Sequence, residues 1–216
     1  MGRGLLANLL CVVLLTGPAL ADKPERILID DFAQGLRPQW EEKSFRGRTE
    51  YQVVADGAGH CLLAESHAAA SGLIFPKTYS LRDYPYLSWR WRVDNIIPGG
   101  DERRKSGDDY AARVYVIFPH WLPLRTRSIN YIWANRLPQG EFVPNPFFSG
   151  AVMLAVQSGD AQVGTWQSER RNVLEDYRRI FGEEPPLVGA IALMTDTDNT
   201  GQTAAACYAD LWISAR

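Results

Sequence analysis

The sequence predicts an all-β protein, a two-sheet β-sandwich of jelly-roll type with one short helix at about residues 172–182. Most segments alternate apolar and polar residues with a period of two, which is typical of half-buried strands. Gly, Pro and Asp residues separate these segments at short intervals and mark turns. A single stretch shows helical spacing of its apolar residues instead. Many short strands with turns between them are typical of sandwiches and jelly rolls.

Ten segments carry the strand pattern, from the first at 26–30 to the last at 206–214. The eight between them are 51–55, 61–66, 72–75, 87–93, 112–118, 128–134, 152–157 and 189–194. No internal repeat, low-complexity tract or linker divides the chain. A chain of this length buries a sizeable core, so residues 22–216 are predicted to form a single domain.

The predicted helix has signals at both of its ends. Asn172 is a favoured N-cap residue, and Glu175 three positions later completes a capping-box-like pair. The residues at 173, 174, 177, 180 and 181 are apolar, at the spacing of one helical face. Gly182 suits the C′ position, and the prolines at 185 and 186 prevent the helix from continuing. We therefore expect one helix that covers an edge or end of a sheet.

Residues 1–21 have the three parts of a cleavable secretory signal. Arg3 supplies a positive charge, residues 5–15 are almost entirely apolar, and Ala19 and Ala21 form an A-x-A cleavage site. The apolar run is too short to cross a bilayer and be retained as an anchor. The sequence therefore predicts a periplasmic or secreted protein that does not span the membrane after cleavage.

The charge balance argues against one class of partner. The chain has 23 Lys and Arg residues against 25 Asp and Glu residues, which gives a formal net charge of −2. Proteins that bind the phosphate backbone of nucleic acids are normally basic. We therefore expect no nucleic-acid partner, and the sequence does not indicate an oligomeric state.

Two cysteines, Cys61 and Cys207, remain after the predicted cleavage. An even number of cysteines in an oxidising compartment favours a disulfide. Two buried free thiols are the alternative, because the sequence does not show whether the two Cα atoms lie within bonding range.

Segment 87–93 has two distinct faces as a strand, because successive side chains point in opposite directions. Trp89 and Trp91 share one face with Leu87 and Val93. Tryptophans suggest stacking against a sugar ring, but these aliphatic neighbours favour a place in the core.

The opposite face of this segment carries Arg90 and Arg92, and the polar face of segment 112–118 carries Arg113 and Tyr115. If the two strands are neighbours in one sheet, these residues form a cationic and aromatic patch. Guanidinium groups recognise carboxylate, phosphate or sulfate groups at two points. The patch therefore favours a saccharide ligand, and in particular an anionic one.

Structural ion pairs are the alternative interpretation of these arginines. Asp108 and Asp109 lie close enough in the sequence to neutralise them. Segment 128–134 adds Tyr131 and Trp133, whose flat rings suit a sugar beside an arginine. The candidate ligand-binding residues are Arg90, Arg92, Asp108, Asp109, Arg113, Tyr115, Tyr131 and Trp133.

Residues 196–201 resemble the opening of an EF-hand loop. Asp196, Asp198 and Gly201 occupy its first, third and sixth positions, but Cys207 replaces the bidentate Glu at the twelfth. A structural calcium site of another geometry is one interpretation. The acids of the end strands that would complete such a site are Asp30, Asp31 and Asp210. Ordinary turn formation by Asp and Asn is the other interpretation, and it requires no cofactor.

Enzyme signatures are largely absent from the sequence. The three histidines show no zinc-binding spacing, and neither a nucleophile elbow nor a phosphate-binding glycine loop occurs. Glycoside hydrolysis needs two opposed carboxylates, which a sequence does not locate without a fold. The acids that lie close together are Glu169, Glu175, Asp176, Asp196 and Asp198, although surface solvation and capping are more ordinary roles for them. A lyase would need a base such as Tyr115 or Tyr131 beside an arginine.

Five stretches of the sequence together resemble a known family. They are 84–93, 107–115, 130–133, 169–177 and 194–201. The combination resembles the exported bacterial family DUF3047, and the likeness extends over essentially all of residues 22–216. The family has no established activity, so the resemblance implies export and assigns no role to single residues.

A weaker likeness concerns jelly-roll carbohydrate-binding modules. Residues 31–32 and 208–213 are similar to the way in which these modules begin and end. The leading hypothesis is therefore a non-catalytic protein that binds a saccharide. A polysaccharide hydrolase or lyase is the first alternative. An envelope structural or assembly protein is the second, and an exposed patch of Phe142, Phe147 and Phe148 would support it.

Overall fold

The computed structural model describes residues 23–57 and 59–216. The predicted signal peptide, residues 1–21, lies outside them. The described chain contains thirteen β-strands and one α-helix. The strands are β1 (Arg26–Asp30), β2 (Glu41–Arg46), β3 (Glu50–Asp56), β4 (Gly59–His67), β5 (Ala70–Tyr79), β6 (Tyr86–Val93), β7 (Tyr110–Phe118), β8 (Arg127–Ala134), β9 (Phe142–Pro144), β10 (Ala151–Ser158), β11 (Gln167–Asn172), β12 (Val188–Asp196) and β13 (Thr203–Ser214).

The strands form two sheets that pack face to face. Sheet A has the order β11-β6-β13-β4-β3, and β1 also pairs with β13. Sheet B has the order β2-β5-β12-β7-β8-β10-β9. The pairing is antiparallel throughout, except that β8 and β10 are parallel. Each sheet therefore has an inner face toward the core and an outer face.

The predicted two-sheet β fold with one short helix is confirmed, and all ten predicted strands are present. Three further strands, β2, β9 and β11, were not predicted, because their sequences do not alternate apolar and polar residues. All three lie at the edge of a sheet, and the side chains of β2 are exposed along its whole length. An edge strand without a buried face leaves no apolar periodicity in its sequence.

The helix, α1 (Val173–Phe181), has the predicted boundaries and caps. The Asn172 side chain accepts a hydrogen bond from the Glu175 amide at 3.2 Å. Gly182 adopts a left-handed φ of 71° and donates its amide to the Arg178 carbonyl, a conformation that favours glycine. Another helical turn would include the prolines at 185 and 186, which cannot continue the helix. No helix in the described residues is long and apolar enough to cross a membrane.

Interlocking aromatic rings fill the space between the sheets. Trp89 and Trp91 of β6 are almost fully buried, which agrees with the core placement expected for them. The Trp89 ring lies 5.3 Å from Tyr131, and the Trp91 ring lies 5.9 Å from Trp133, both on β8 of sheet B. Such pairs contribute about 0.5–1.5 kcal/mol each beyond the burial of their area. The tryptophans of β6 are therefore structural residues.

Cys61 of β4 and Cys207 of β13 form a disulfide, with their Cα atoms 5.6 Å apart. The bond lies on the outer face of sheet A, where it packs with Ala209 and near Trp166. It joins two neighbouring strands and closes a loop of 146 positions. The pair expected from the sequence is thus bonded in the structure.

We expect a Cys61→Ala/Cys207→Ala double variant to unfold at a lower urea concentration. A loop of this length corresponds to about 4–5 kcal/mol in the chain-entropy account of disulfide stabilisation. The measurement is equilibrium urea unfolding of the oxidised protein, the reduced protein and the double variant. A double variant as stable as the oxidised protein would show that the bond does not contribute.

Candidate functional site

The predicted arginine patch is divided between the two sheets. β6 pairs with β11 and β13 in sheet A, whereas β7 pairs with β12 and β8 in sheet B. Arg90 and Arg92 therefore lie on the outer face of sheet A, and Arg113 and Tyr115 lie on the outer face of sheet B. The prediction of one continuous patch is wrong, because these two successive strands lie in opposite sheets of the sandwich.

Tyr131 and Trp133 do not belong to either outer face. The register of β8 places Tyr131 opposite Val114 and Ile132 opposite Arg113, so Tyr131 and Trp133 point into the core. Both are at most 1% exposed, and the Trp133 Nε1 atom donates to the Gly159 carbonyl at 3.0 Å. Their predicted place on a ligand surface is wrong, because both side chains lie on the same inner face of sheet B as Val114.

Arg90 and Arg92 are held by carboxylates on the outer face of sheet A. The Arg90 Nε atom lies 2.6 Å from Asp210 Oδ2, and Arg92 Nη1 lies 3.2 Å from Asp56 Oδ1. Both guanidinium groups also lie over the Trp166 ring, at 5.0 and 5.5 Å. Structural pairing was the expected alternative, but the partners are these acids and not Asp108 or Asp109.

A groove of about 700 Å³ lies on the outer face of sheet A, and we call it the sheet A groove. Its lining comes from four adjacent strands: Arg170 of β11, Ser88 and Arg90 of β6, Trp212 of β13 and Arg26 of β1. This volume falls within the range of about 300–1,000 Å³ that is usual for small-molecule sites. Of these five residues, only Arg90 is among the site residues predicted from the sequence.

The strand register explains the shape of the sheet A groove. Arg170, Ser88 and Trp212 are cross-strand neighbours in one row, so a small residue separates the two large ones. The Arg170 guanidinium lies 3.7 Å from the Tyr86 ring centre, and that of Arg26 lies 4.5 Å from the Trp212 ring centre. The two arginines belong to β11 and β1, but their guanidinium groups lie over rings of the neighbouring strands β6 and β13.

Arg26 and Arg170 differ from the other charged residues of the sheet A groove. Neither forms an ion pair or a side-chain hydrogen bond with any residue in the described ranges. By contrast, Glu169 accepts from the Gln157 amide at 2.7 Å, and Asp31 accepts from a backbone amide. Asp210 is paired with Arg90. The acids of the groove are therefore engaged, while two guanidinium groups keep free donors.

A second site lies on the outer face of sheet B. This Arg113 cleft has a volume of about 380 Å³. Arg113 is buried at its floor between the rings of Tyr110 and Tyr115, at 4.6 and 5.6 Å from their centres. Its Nη2 atom is paired with Asp196, and its Nε atom has no hydrogen-bond partner within the described residues. The exposed ring of Phe147 forms part of the rim.

A β-bulge in β7 places Tyr110 beside Arg113. Met194 of β12 is opposite Arg113, but Asp196 is opposite Tyr110, so β7 contains one extra residue between them. Residues three apart normally point to opposite faces of a strand. The extra residue reverses this parity, and both side chains therefore lie on the outer face. Unbroken alternation along β7 would place Tyr110 in the core.

The acids of segments 107–115 and 194–201 converge in the Arg113 cleft. Asp108 accepts hydrogen bonds from Asn145 at 2.7 Å and from Tyr110 at 2.9 Å. One carboxylate oxygen each from Asp109, Asp196 and Asp198 lies within 4.8 Å of the others, and we call these three the acidic cluster. The end-strand acids expected to join Asp196 do not, because Asp30 binds Trp40 and backbone amides elsewhere.

The titration of these acids reflects their burial. Desolvation raises the pKa of Asp196 to about 8, although the Arg113 charge opposes this rise and Asp109 and Asp108 add to it. Desolvation also raises the pKa of Asp108 and Asp198. The direction is the same for all three because burial is the largest cause in each case.

The residues proposed for catalysis are divided among separate parts of the structure. Tyr131 donates to Asp176 at 3.0 Å inside the protein, and Arg171 pairs with the same carboxylate. Glu169 lies on β11 of sheet A, whereas Tyr115 lies in the Arg113 cleft of sheet B. Burial raises the pKa of Tyr115, which disfavours its use as a base. Neither Glu169 nor Asp176 therefore lies with Tyr115 in the Arg113 cleft, whose acids include Asp196 and Asp198.

Comparison with models of protein families shows to which family the chain belongs. The model of the family described as "Protein of unknown function (DUF3047)" matches residues 38–212. The chain belongs to the DUF3047 family. No curated protein matches the sequence.

Solved structures show what fold this DUF3047 protein has. It is similar to the family 11 carbohydrate-binding module of the cellulosomal cellulase Lic26A-Cel5E of Clostridium thermocellum, with a TM-score of 0.51 and 9% identity. That match covers 90% of this chain and 97% of the module. A family 30 module of the cellulase Cel9D-Cel44B of the same organism gives a TM-score of 0.49 and 12% identity, over 88% and 98% of the two chains. At such identities the likeness concerns the fold alone.

Cations lie over the exposed phenylalanine rings of this DUF3047 protein. Phe142 and Phe147 are exposed, and Phe148 is half-exposed. Arg179 lies 5.2 Å from the Phe142 ring centre, and Lys105 lies 5.2 Å from that of Phe147. Charged side chains therefore cover part of the apolar surface that was expected for an assembly protein.

We expect Arg113→Met to destabilise the protein by about 3–5 kcal/mol, because it leaves the Asp196 carboxylate buried without its partner. Arg113→Met combined with Asp196→Leu removes both charges and is expected to recover most of this loss. The measurement is urea unfolding of the single and double variants in metal-free buffer. Equal losses in both variants would show that packing, and not the ion pair, sets the stability of the cleft.

Proposed function

We propose that this chain is a non-catalytic saccharide-binding protein of the periplasm or cell exterior, and that the sheet A groove takes a saccharide with anionic groups. The observation that carries the proposal is the pair Arg26 and Arg170, which have no acceptor among the described residues and lie each over an aromatic ring beside an open groove.

Stacking leaves the guanidinium edges available to a ligand. An arginine held flat against a ring loses little further side-chain entropy on binding, and its edge offers two parallel donors to one carboxylate or sulfate. The Trp212 ring, only partly buried, adds an apolar surface next to Ser88. Apolar contact with few placed polar groups is the usual composition of a small-ligand site.

The positions of the charges favour a ligand with more than one anionic group. The guanidinium groups of Arg170 and Arg26 lie over rings of the neighbouring strands β6 and β13, so each is available to a separate acidic group of one ligand. A short chain of acidic sugar units carries such groups. The shared fold with a module named for carbohydrate binding supports this class of ligand, although fold alone does not determine function.

We expect Arg26→Ala and Arg170→Ala each to weaken binding of a short uronic-acid oligosaccharide at least tenfold. Each change removes a charge-assisted hydrogen bond worth about 1.5–3 kcal/mol. The measurement is isothermal titration calorimetry with this oligosaccharide and with a neutral hexose oligosaccharide of the same length. The neutral ligand is expected to bind more weakly and to be less affected by either change.

Arg48→Ala is the matched control, because it removes the same charge from an exposed arginine in the β2–β3 connection. It is expected to change the affinity less than twofold. Equal losses in all three variants would indicate general charge attraction and would contradict a built groove. Chromatography of the ligand after incubation tests catalysis, and appearance of shorter or unsaturated products would replace the binding proposal by a hydrolase or lyase.

A further inference from the structure

The EF-hand-like stretch meets an acid from a distant part of the chain in the Arg113 cleft. Asp109 directly precedes β7, Asp196 ends β12, and Asp198 lies two residues beyond. One carboxylate oxygen from each lies within 4.8 Å of the other two. We infer that this acidic cluster binds one hard divalent cation of the calcium class. The inference concerns the sheet B face and does not depend on saccharide binding in the sheet A groove.

Asp196 provides an independent indication of a ligand. Its side chain is 2% exposed, and Oδ2 is paired with Arg113. Its other oxygen, Oδ1, is buried and has no hydrogen-bond partner among the described residues. A buried carboxylate oxygen is nearly always paired with a donor, a water molecule or an ion. Coordination of a cation by Oδ1 satisfies this atom.

The charge balance of the cleft also favours a divalent ion. Four carboxylates meet there, because Asp108 lies next to the three acids of the cluster. Within the described chain, Arg113 pairs with the Asp196 carboxylate, and Arg46 lies beside the cluster, where it donates to the backbone carbonyl of Asp198 at 3.2 Å. A divalent cation compensates the two negative charges that remain when all four acids are ionised.

The cluster is held in place by the backbone of the β12–β13 loop. The Asp109 carboxylate accepts hydrogen bonds from the amides of Asn199 at 3.1 Å and Thr200 at 2.6 Å. These bonds fix the loop that carries Asp198 against the start of β7. The ligand atoms are therefore positioned by two segments far apart in the sequence, and the ion needs to order little additional chain.

The donor set selects the class of ion. All three ligands are carboxylate oxygens, which suit hard cations, whereas zinc and other transition metals favour imidazole and thiolate. The largest separation of the three oxygens does not exceed 4.8 Å, which equals the diameter of a calcium shell with bonds of about 2.4 Å. Solvent oxygens supply the ligands that calcium needs beyond these three.

The test is calorimetric titration of the chelator-treated full chain with Ca²⁺ and separately with Mg²⁺. We expect one Ca²⁺ per chain, weaker binding of Mg²⁺, and a rise in the melting temperature with Ca²⁺, because a ligand of the folded state stabilises it. Asp198→Asn, at a half-buried position, is expected to weaken Ca²⁺ binding at least tenfold. The exposed Asp160→Asn in the β10–β11 connection is the matched control and is expected to bind Ca²⁺ like the unchanged protein.

Asp196→Asn gives a second measure, because it keeps the side-chain shape and removes the charge. Loss of Ca²⁺ binding in both cluster variants, with normal circular dichroism spectra, supports the site. Absence of Ca²⁺ binding in the unchanged protein, or equal weakening by Asp160→Asn, overturns it. Titration of Asp198→Asn with the uronic-acid oligosaccharide separates the two proposals, since each binding event is expected to persist when the other fails.

Discussion

The hydroxyl group of Tyr208 joins the two sheets at the point on which the Arg113 cleft depends. Tyr208 projects inward from β13 of sheet A. Its hydroxyl donates to the Met194 carbonyl at 2.8 Å and accepts from the Arg113 amide at 3.2 Å, both in sheet B. Thr195 donates to the Ala111 carbonyl at 2.7 Å in the same region. Buried side chains thus satisfy the backbone groups that the β7 bulge leaves unpaired, and unpaired groups of this kind would be costly.

A second bulge controls the other face of the sandwich. Ala209 of β13 lies opposite Arg90 and Trp212 lies opposite Ser88, so β13 contains one extra residue between them. Asp210 in this bulge has a φ of 52°, a conformation that non-glycine residues adopt rarely and Asp more readily than most. The extra residue turns Trp212 to the outer face, where unbroken alternation would place it in the core. Both candidate sites therefore depend on one inserted residue each.

This dependence explains what the sequence could and could not predict. Alternation and capping residues revealed the ten strands and the helix, because those signals are local. Strand neighbours are not local, so Arg90 and Arg113 were assigned to one patch although their strands lie in different sheets. Bulges are also invisible to a period-two pattern, and Trp212 and Tyr110 were missed for that reason. The acids at 196 and 198 were found by their spacing, but Asp109 joined them only through the fold.

The outer faces of the two sheets carry unpaired groups of opposite charge, and β13 contributes to both sites. On sheet A, Arg26 and Arg170 lack acceptors in the described structure, which suits an anion. On sheet B, Asp196 Oδ1 has no hydrogen-bond donor among the residues that the structure describes, which suits a cation. Tyr208 supports the Arg113 cleft from inside the protein. Trp212, four residues later on the same strand, lines the sheet A groove. The disulfide at Cys207 joins this strand to β4. It therefore restrains the strand on which both the sheet A groove and the Arg113 cleft depend.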